Sequence, residues 1–249
     1  MSEPAGPLSR PCEKCGFEQP SDRLECARCG VIFAKFTRVH QAPPVEKRDV
    51  IGELSQRALF VPETVNEIEL GGRAVFWVAL FLLSWSVVLA PLERTQIATT
   101  FVHLILSRVN LVFHEAGHII FQVLGRFMAT LGGSLLQVLV PLICLVTFLT
   151  RHLNPFGASV TLWWVGHSLI DLAPYINDAR AQRMILLGGV TGRDVPGYHD
   201  WNNILTQLGL LSWDHALARV AHLSGSVFIV LSVIWGAYLL WLQYQVAKA

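Results

Sequence analysis

Residues 114–118 read His-Glu-Ala-Gly-His, which is an HExxH pattern. On a helix, side chains four positions apart share a face, so His114 and His118 can bind one metal ion together. Glu115 lies about 100° further round the helix, close enough to act as a base toward water without being a ligand. The alternative is a polar packing face, but a glutamate between two histidines disfavours it. The pattern predicts a catalytic zinc site with Glu115 as the catalytic residue.

A catalytic zinc ion usually takes three protein ligands, so the two histidines need a partner. His167, Asp171 and Asp178 fall on one helical face, and Pro174 is expected to break or kink that helix. We predict Asp178 as the third ligand and Asp171 as the alternate. His167 either supports the site or is a buried histidine bonded to a backbone carbonyl. One of the two aspartates is then expected to support a ligand or to cap a helix.

Two other stretches each allow a functional and a purely structural interpretation. The pair Gly132-Gly133 lets backbone approach a substrate or the metal closely, or simply lets two helices pack tightly. His199 reaches back toward the site from a loop, in the functional interpretation. In the structural one, its neighbour Asp200 is the N-cap of an amphipathic helix that runs to about Leu211.

The N-terminal segment carries a second group of metal-binding side chains. Two Cys-x-x-Cys-Gly pairs are separated by ten residues. In a reducing compartment this spacing is typical of a metal site rather than of disulfides. So short a peptide cannot bury enough apolar surface to fold alone, so the metal is expected to supply the folding energy. We predict a structural zinc ribbon with four thiolate ligands, Cys12, Cys15, Cys26 and Cys29.

The elements that must position these residues follow from an uneven distribution of charge. The 249-residue chain is 53% hydrophobic and 15% charged, with a mean hydropathy of +0.47. Residues 1–73 hold 10 of the 19 Lys and Arg residues and 11 of the 18 Asp and Glu residues. This distribution excludes a single soluble globule, because soluble domains carry about 25% charged residues. We predict a zinc ribbon over 1–39, a linker over 40–73 and a transmembrane domain over 74–249.

About five transmembrane helices are predicted, so the expected fold class is an all-α polytopic membrane protein with a small N-terminal zinc ribbon. The HExxH segment, 103–125, is the second of these spans and is the least apolar. Ionisable groups are costly inside a bilayer, which makes them functional candidates there. The other four segments contain no Asp, Glu, Lys or Arg and can each cross about 30 Å of hydrocarbon: 74–92, 127–150, 152–170 and 220–247.

An HExxH helix followed, after one intervening helix, by an Asp-bearing helix with an Asx-x-x-Pro element resembles the site-2 protease family of intramembrane metalloproteases. The resemblance covers roughly residues 100–183. It implies that His114, His118 and a distal aspartate bind zinc and that Glu115 activates water. It also implies that the transmembrane domain, residues 74–249, is metalloprotease-like.

Two pieces of the second helix carry the rest of this resemblance. Asp171-Leu-Ala-Pro174 is similar to the family's Asn-x-x-Pro piece, and Asp178 is similar to the aspartate of its Leu-Asp-Gly piece. Asp178 is flanked by Asn177 and Ala179 where the family has Leu and Gly, and it lies one residue closer to the proline.

The resemblance implies a zinc metalloendopeptidase, a hydrolase that cleaves a membrane-protein substrate in or near its transmembrane segments. The alternative function is a non-enzymatic metal-binding membrane protein, such as a zinc sensor or transporter, because histidine and aspartate stripes also suit a transit path. A third option is a scaffold that binds membrane segments without cutting them.

The surroundings of the protein are also expected from the sequence. No apolar leader precedes the ribbon, so we expect its N-terminus in the cytoplasm. Similarity to small bacterial proteins that pair a ribbon with this motif implies the bacterial inner membrane and its lipid bilayer. Acidic and basic residues alternate in the ribbon, which favours a cytoplasmic protein as its partner and disfavours nucleic acid.

Overall fold

The computed structural model describes residues 9–40, 50–89, 92 and 101–248, including the side chains of all but 37–40, 50–51 and 101–104. The chain divides into two compact units, residues 1–50 and 51–249. The first unit contains the four-cysteine group and the second contains the long helices.

The first unit is built on two short strands and one helix. Strand β1 (Ser9–Pro11) pairs antiparallel with β2 (Glu18–Pro20), and helix α1 spans Phe33–His40. The buried core comprises the thiols of Cys12 and Cys26 and the ring of Phe33, with the other two cysteines partly buried beside them. Since this core is mostly sulfur, little apolar area is available to stabilise the fold.

The rest of the described chain consists of helices joined by turns and loops, among them the helix-free segment 178–199. Two short 3₁₀ turns, Gln122–Leu124 and Leu211–Trp213, lie immediately before the helices that begin at Arg126 and Asp214. The α-helices, in chain order, are α2 (Val50–Ala58), α3 (Glu67–Val88), α4 (Phe101–Phe121), α5 (Arg126–Thr150), α6 (Pro155–Asn177), α7 (Asp200–Gln207) and α8 (Asp214–Lys248).

Helix boundaries are set by local capping chemistry. The Asn66 side chain caps the N-terminus of α3 by accepting a hydrogen bond from the Ile68 N–H at 2.9 Å. The Asn154 side chain caps α6 by accepting from the Gly157 N–H, also at 2.9 Å. Between the first 3₁₀ turn and α5 stands Gly125, with a φ of +97° that other residues rarely adopt. This turn lets α5 fold back along α4.

Helix α6 is the centre of the second unit, because 15 of its 23 residues are buried. It packs most extensively against α8, and a Cβ at Gly166 would lie only 2.6 Å from the Gly225 carbonyl oxygen. Helices α4 and α5 cross in the same way, with Gly117 against Gly132. Small residues therefore allow close backbone approach at both crossings.

Three helices in the described part of the chain are long and apolar enough to cross a membrane: Glu67–Val88, Arg126–Thr150 and Leu211–Lys248. Helices α4 and α6, the second and fourth of the five predicted spans, are not among them. Both carry polar residues that lower their hydropathy. The helical, membrane-type fold is thus confirmed, while the five predicted spans are not.

Two local features differ from the sequence predictions. Helix α3 begins at Glu67, so its first two turns lie within the predicted linker 40–73. Helix α6 is not broken at Pro174 but continues to Asn177, and Asp178 is its C-cap. The end of the first predicted span, near residue 92, lies mostly outside the described residues.

Candidate metal centre

The two histidines of the HExxH pattern lie on one face of α4 and meet a carboxylate from α7. The Nε2 atoms of His114 and His118 lie 3.2 Å and 3.3 Å from Oδ2 of Asp200. A tetrahedral site with zinc–nitrogen and zinc–oxygen bonds near 2.1 Å has ligand–ligand edges of about 3.4 Å. The three residues therefore form a group that could hold a metal ion.

The other nitrogen of each imidazole is held by an acceptor. Nδ1 of His118 donates to the Ala129 carbonyl oxygen at 2.8 Å, and Nδ1 of His114 contacts Oε1 of Gln137 at 3.1 Å. A hydrogen on Nδ1 leaves the lone pair on Nε2, which is the nitrogen that faces Asp200. Both rings therefore present metal-binding atoms to the same point.

Helix α7 delivers Asp200 because its first turn is docked on two other helices. The Asp200 N–H donates to the Tyr175 hydroxyl at 2.9 Å, and that hydroxyl donates to Oδ2 of Asp200 at 3.1 Å. The indole N–H of Trp201 donates to Oγ of Ser134 on α5 at 3.1 Å. These bonds fix the carboxylate over the two imidazoles.

His199 and Asp200 exchange the roles that the sequence suggested for them. His199 is the N-cap of α7, and its Nδ1 accepts from the Asn202 N–H at 3.2 Å. It is fully buried, and its ring packs 4.4 Å from the ring of Tyr175. His199 therefore supports α7 and Tyr175 rather than contacting the histidines, while Asp200, predicted as the cap, joins them.

Asp178, the predicted third ligand, is not brought to the histidines. Its carboxylate accepts hydrogen bonds from the backbone N–H groups of Arg183 and Met184 at 3.0 and 2.8 Å, and it lies 3.4 Å from Nε2 of His199. The physical reason is that α6 ends at Asn177, so Asp178 points into the following turn instead of along the helix face. In the structure Asp200, and not Asp178, lies with the two histidines in the group that could hold a metal ion.

Asp171, the alternate third ligand, lies behind the site rather than in it. Its carboxylate accepts from Ser107, Asn110 and Gln137 at 2.8, 3.0 and 3.1 Å, and it touches neither histidine ligand candidate in the contacts of the described residues. His167 lies further along the same network, with its Nδ1 3.3 Å from the Asn110 amide nitrogen. Both residues are linked to His114 only through other side chains.

Gly133 provides the space in which the two imidazoles meet. A Cβ at this position would lie 2.6 Å from Nε2 of His114 and 2.7 Å from Cε1 of His118. Its neighbour Gly132 forms the crossing with Gly117. Both interpretations of the glycine pair therefore apply, because Gly132 allows the helices to pack closely and Gly133 leaves room for the two imidazoles.

Glu115 opens onto the same cavity as the three converging residues. The cavity has a volume of about 690 Å³, and its wall includes Tyr175 and the loop 184–189. Glu115 is partly exposed and is not one of the three converging groups. A carboxylate beside a metal site, but outside its ligand set, is placed to exchange a proton with bound water.

The electrostatics of α7 favour a charged Asp200. Burial opposes ionisation of the carboxyl, but in the metal-free protein the adjacent imidazoles of His114 and His118 outweigh burial and lower the pKa of Asp200 to about 2. Burial lowers the pKa of His199, which favours the neutral ring that accepts from the α7 backbone. Helix α7 therefore presents a negatively charged carboxylate to the two histidines.

The four cysteines of the first unit form a second group that could hold a metal. Sγ of Cys12 lies 3.8 Å from Sγ of Cys29, and Sγ of Cys15 lies 3.7 Å from Sγ of Cys26. Zinc–sulfur bonds of about 2.3 Å in a tetrahedron give sulfur–sulfur edges of about 3.8 Å. All four thiols are free of disulfides, so the predicted four-cysteine cluster is confirmed.

The two cysteine pairs share one backbone design. The N–H of Gly16 donates to the Cys12 carbonyl oxygen and that of Gly30 to the Cys26 carbonyl oxygen, and both glycines have φ near +70°. Desolvation raises the pKa of the Cys26 thiol, but backbone N–H groups of Cys29 and Arg28 outweigh it and lower the pKa to about 6. Thiolate formation, which metal binding requires, is favoured there.

Sequence reasoning missed Asp200 because its only local signal was that of a helix start. An acidic residue in a first helical turn is common for reasons of capping and dipole alone. The sequence contains several aspartates after the HExxH pattern, and choosing among them required the position of α7 relative to α4.

Comparisons of this chain with protein-family models, with curated proteins and with solved structures found no match. What the protein does is therefore argued from the geometry of its own residues.

Proposed function

We propose that the protein is a zinc-dependent intramembrane endopeptidase similar to the site-2 proteases. The observation that carries the proposal is the convergence of the His114 and His118 Nε2 atoms with the Asp200 carboxylate. Glu115 lines the same cavity without being part of that group. This combination of three ligands and one free carboxylate is the donor set of hydrolytic zinc sites.

The exposed surface of α4 supports a location in the membrane. Val112 and Ile119 are 66% and 72% exposed, whereas Asn110 and His114 on the opposite side are buried. A helix with apolar residues outside and polar residues inside reverses the pattern of a water-soluble protein. In this proposal α4 therefore crosses the membrane. Helix α6 crosses it as well and is shielded from lipid by the helices around it.

The chemistry follows from the positions of the side chains. When bound, a zinc ion supplies Lewis acidity toward a water molecule and a peptide carbonyl. His114, His118 and Asp200 would hold the ion, and the Tyr175 hydroxyl donates to Asp200 and keeps it in place. Glu115 accepts a proton from the attacking water and then passes it to the amine of the leaving peptide.

The cavity also limits what a substrate can be. Its volume of about 690 Å³ lies within the usual range of about 300–1,000 Å³ for ligand sites. An intact helix hides its carbonyl groups in its own hydrogen bonds, so a transmembrane or membrane-proximal segment must unwind locally before cleavage. The substrate class is therefore a membrane protein with a helix that opens near the membrane surface.

The test is Glu115→Gln in the full chain, reconstituted with a panel of labelled single-span membrane proteins. We expect wild type to release fragments and the variant to lose at least about 100-fold of that rate, because general-base catalysis contributes about 10²–10⁴-fold. Metal content, measured by mass spectrometry of the purified protein, should be unchanged. His114→Ala should lose the metal of the second unit and keep that of the ribbon.

The alternative is a metal-binding membrane protein without catalysis, such as a zinc sensor or transporter. It predicts no fragments from wild type and an unchanged zinc flux into vesicles when Glu115 becomes Gln. Either result, together with metal bound at His114, would refute the peptidase and leave the metal site standing.

A further inference from the structure

A buried side-chain relay connects Asp171 to His114 without direct contact. Nε2 of Gln137 lies 3.1 Å from Oδ2 of Asp171 and 3.4 Å from the Ser168 carbonyl oxygen. Oε1 of the same amide lies 3.1 Å from Nδ1 of His114. Gln137 is only 3% exposed, so water does not compete for these bonds.

The direction of the Gln137 amide is dictated by its neighbours. A carboxylate and a backbone carbonyl can only accept hydrogen bonds, so the NH₂ group must face Asp171 and Ser168. The carbonyl oxygen of the amide then faces His114, and this oxygen can only accept. Nδ1 of His114 must therefore carry a hydrogen, whether its Nε2 faces the Asp200 carboxylate, which lies 3.2 Å away in this structure, or binds a metal ion.

Asp171 is itself held so that it cannot turn away. Ser107 donates to its Oδ1 at 2.8 Å, and Asn110 donates to its Oδ2 at 3.0 Å. The partner histidine needs no such relay, because Nδ1 of His118 donates directly to the backbone oxygen of Ala129. A backbone carbonyl cannot be reversed, whereas a side-chain amide can.

We infer that Asp171 is a positioning residue which, through Gln137, selects the His114 tautomer that can bind metal. The inference rests on the proposed function, in that the site holds a metal ion. With Asp171→Asn, residue 171 can present either NH₂ or oxygen, so the Gln137 amide is free to reverse. A reversed amide donates to Nδ1 of His114 and places the hydrogen on Nε2, where it blocks the metal.

The decisive experiment exchanges the two groups in the full-length protein. Asp171→Asn alone should lower the fraction of His114 that carries a hydrogen on Nδ1 in the metal-free protein, measured by ¹⁵N NMR of labelled histidines. It should also weaken zinc binding at this site by about 10–100-fold, measured by chelator competition with the ribbon already loaded. The double variant Asp171→Asn with Gln137→Glu should restore the Nδ1–H tautomer and most of the affinity, because both oxygens of the introduced carboxylate can only accept.

Asp178→Asn is the matched control, since it replaces a buried carboxylate that follows the same helix but accepts from Arg183 and Met184 rather than from Gln137. It should leave the hydrogen on Nδ1 of His114 as in wild type. The inference is overturned if Asp171→Asn leaves both readouts at wild-type values. It is equally overturned if the double variant, with a wild-type melting temperature, fails to recover the tautomer, since a merely structural role would behave so.

Failure of the proposed function would look different. Wild-type protein would then bind one equivalent of zinc, in the ribbon, and His114→Ala would not change that number. The tautomer measurement needs no metal, so it would still decide whether Asp171 sets the state of His114.

Discussion

The two metal-binding groups of this chain are built in opposite ways. The ribbon's four thiols come from a stretch in which Cys12 and Cys29 are 17 positions apart, whereas His114 and Asp200 are 86 positions apart. The ribbon positions its ligands with two tight turns. The second unit positions its converging residues through the packing of separate helices, with the two histidines on α4 and Asp200 on α7.

This difference bears on whether the fold depends on the metal or the metal site depends on the fold. In the ribbon the core is made largely of the ligands themselves, so without metal almost nothing remains to hold the fold. In the second unit, Asp200 is held by Tyr175, and α7 by Trp201 and Asn202, through hydrogen bonds that involve no metal. We therefore expect the fold of the ribbon to depend on metal, and the geometry of the second site to depend on the helical fold.

Metal removal gives the largest expected effect and tests this contrast directly. Structural zinc contributes about 10–16 kcal/mol to folding in small zinc domains. Dialysis of the detergent-solubilised protein against a strong chelator should therefore unfold residues 9–36 and leave the long helices folded. Hydrogen exchange followed by mass spectrometry should show complete loss of protection in the ribbon and native protection in α6 and α8.

Readdition of zinc is the control, and it should restore protection in the ribbon. The contrast between the two units would be wrong if the ribbon kept its protection from hydrogen exchange without metal. It would also be wrong if the buried residues of α6 lost their protection when the ribbon did.

The next largest effect is expected from the carboxylate that completes the second site. Asp200→Asn should weaken zinc binding there by more than about 100-fold, because even residues that only support a ligand cost about 10–100-fold. Asp178→Asn should leave the affinity within about threefold of wild type. Isothermal titration of ribbon-loaded protein measures both, and equal effects of the two variants would contradict the assignment of Asp200.

The outcome for these two aspartates shows where sequence reasoning ended. The HExxH helix and the four-cysteine cluster could be predicted, because each depends on spacing within a short stretch of sequence. Asp178 was preferred to Asp171 because it lies on the face of His167 and is similar to the aspartate of the family's Leu-Asp-Gly piece, while Asp200 was considered only as a helix cap. That expectation was not met because α6 ends one residue before Asp178 and the capping bonds to Arg183 and Met184 turn its carboxylate away.

The burial of helix α6 limited the prediction of the membrane spans. Helix α6 is mostly buried, so its polar residues find partners on α4 and α5 instead of lipid. Hydropathy alone cannot tell such a central helix from a water-exposed one. Among the described helices, hydropathy identifies only α3, α5 and α8 as long and apolar enough to cross a membrane.

A substitution at Gly133 sharpens the claim that helix packing shapes the site. With Gly133→Ala, the added methyl group would overlap His114 and His118, so the two rings must move apart. Overpacking of this kind costs about 1–3 kcal/mol, which corresponds to about 5- to 150-fold in zinc affinity. Gly72→Ala in α3 is the matched control, because nothing lies within 4 Å of its added Cβ.

The Gly133 result can be separated from general damage to the fold. Thermal unfolding of the metal-free variants should show that Gly72→Ala is neutral or stabilised, as expected for an exposed helical glycine. An unchanged affinity in folded Gly133→Ala would mean that the imidazoles do not meet at this glycine, and the packing argument would be wrong.

The smallest effect is expected at the hydroxyl that holds the third ligand. Tyr175→Phe removes both hydrogen bonds between the hydroxyl and Asp200, so the carboxylate gains freedom that metal binding must take away. We expect a loss of about 0.5–1.5 kcal/mol, or about 2- to 12-fold in zinc affinity. Tyr198→Phe is the control on the same cavity wall, because the Tyr198 hydroxyl donates to the Leu187 carbonyl oxygen and not to a ligand.

The two tyrosines also separate a pre-formed site from one that the metal assembles. In a pre-formed site, Tyr175→Phe weakens binding mainly through faster zinc release, measured by stopped-flow transfer to a chelator, and Tyr198→Phe changes neither rate. If the metal itself drew α7 into place, Asp200 would bind equally well without the hydroxyl, and both variants would match wild type. That result would make the second site resemble the ribbon, and the contrast between the two halves of the chain would disappear.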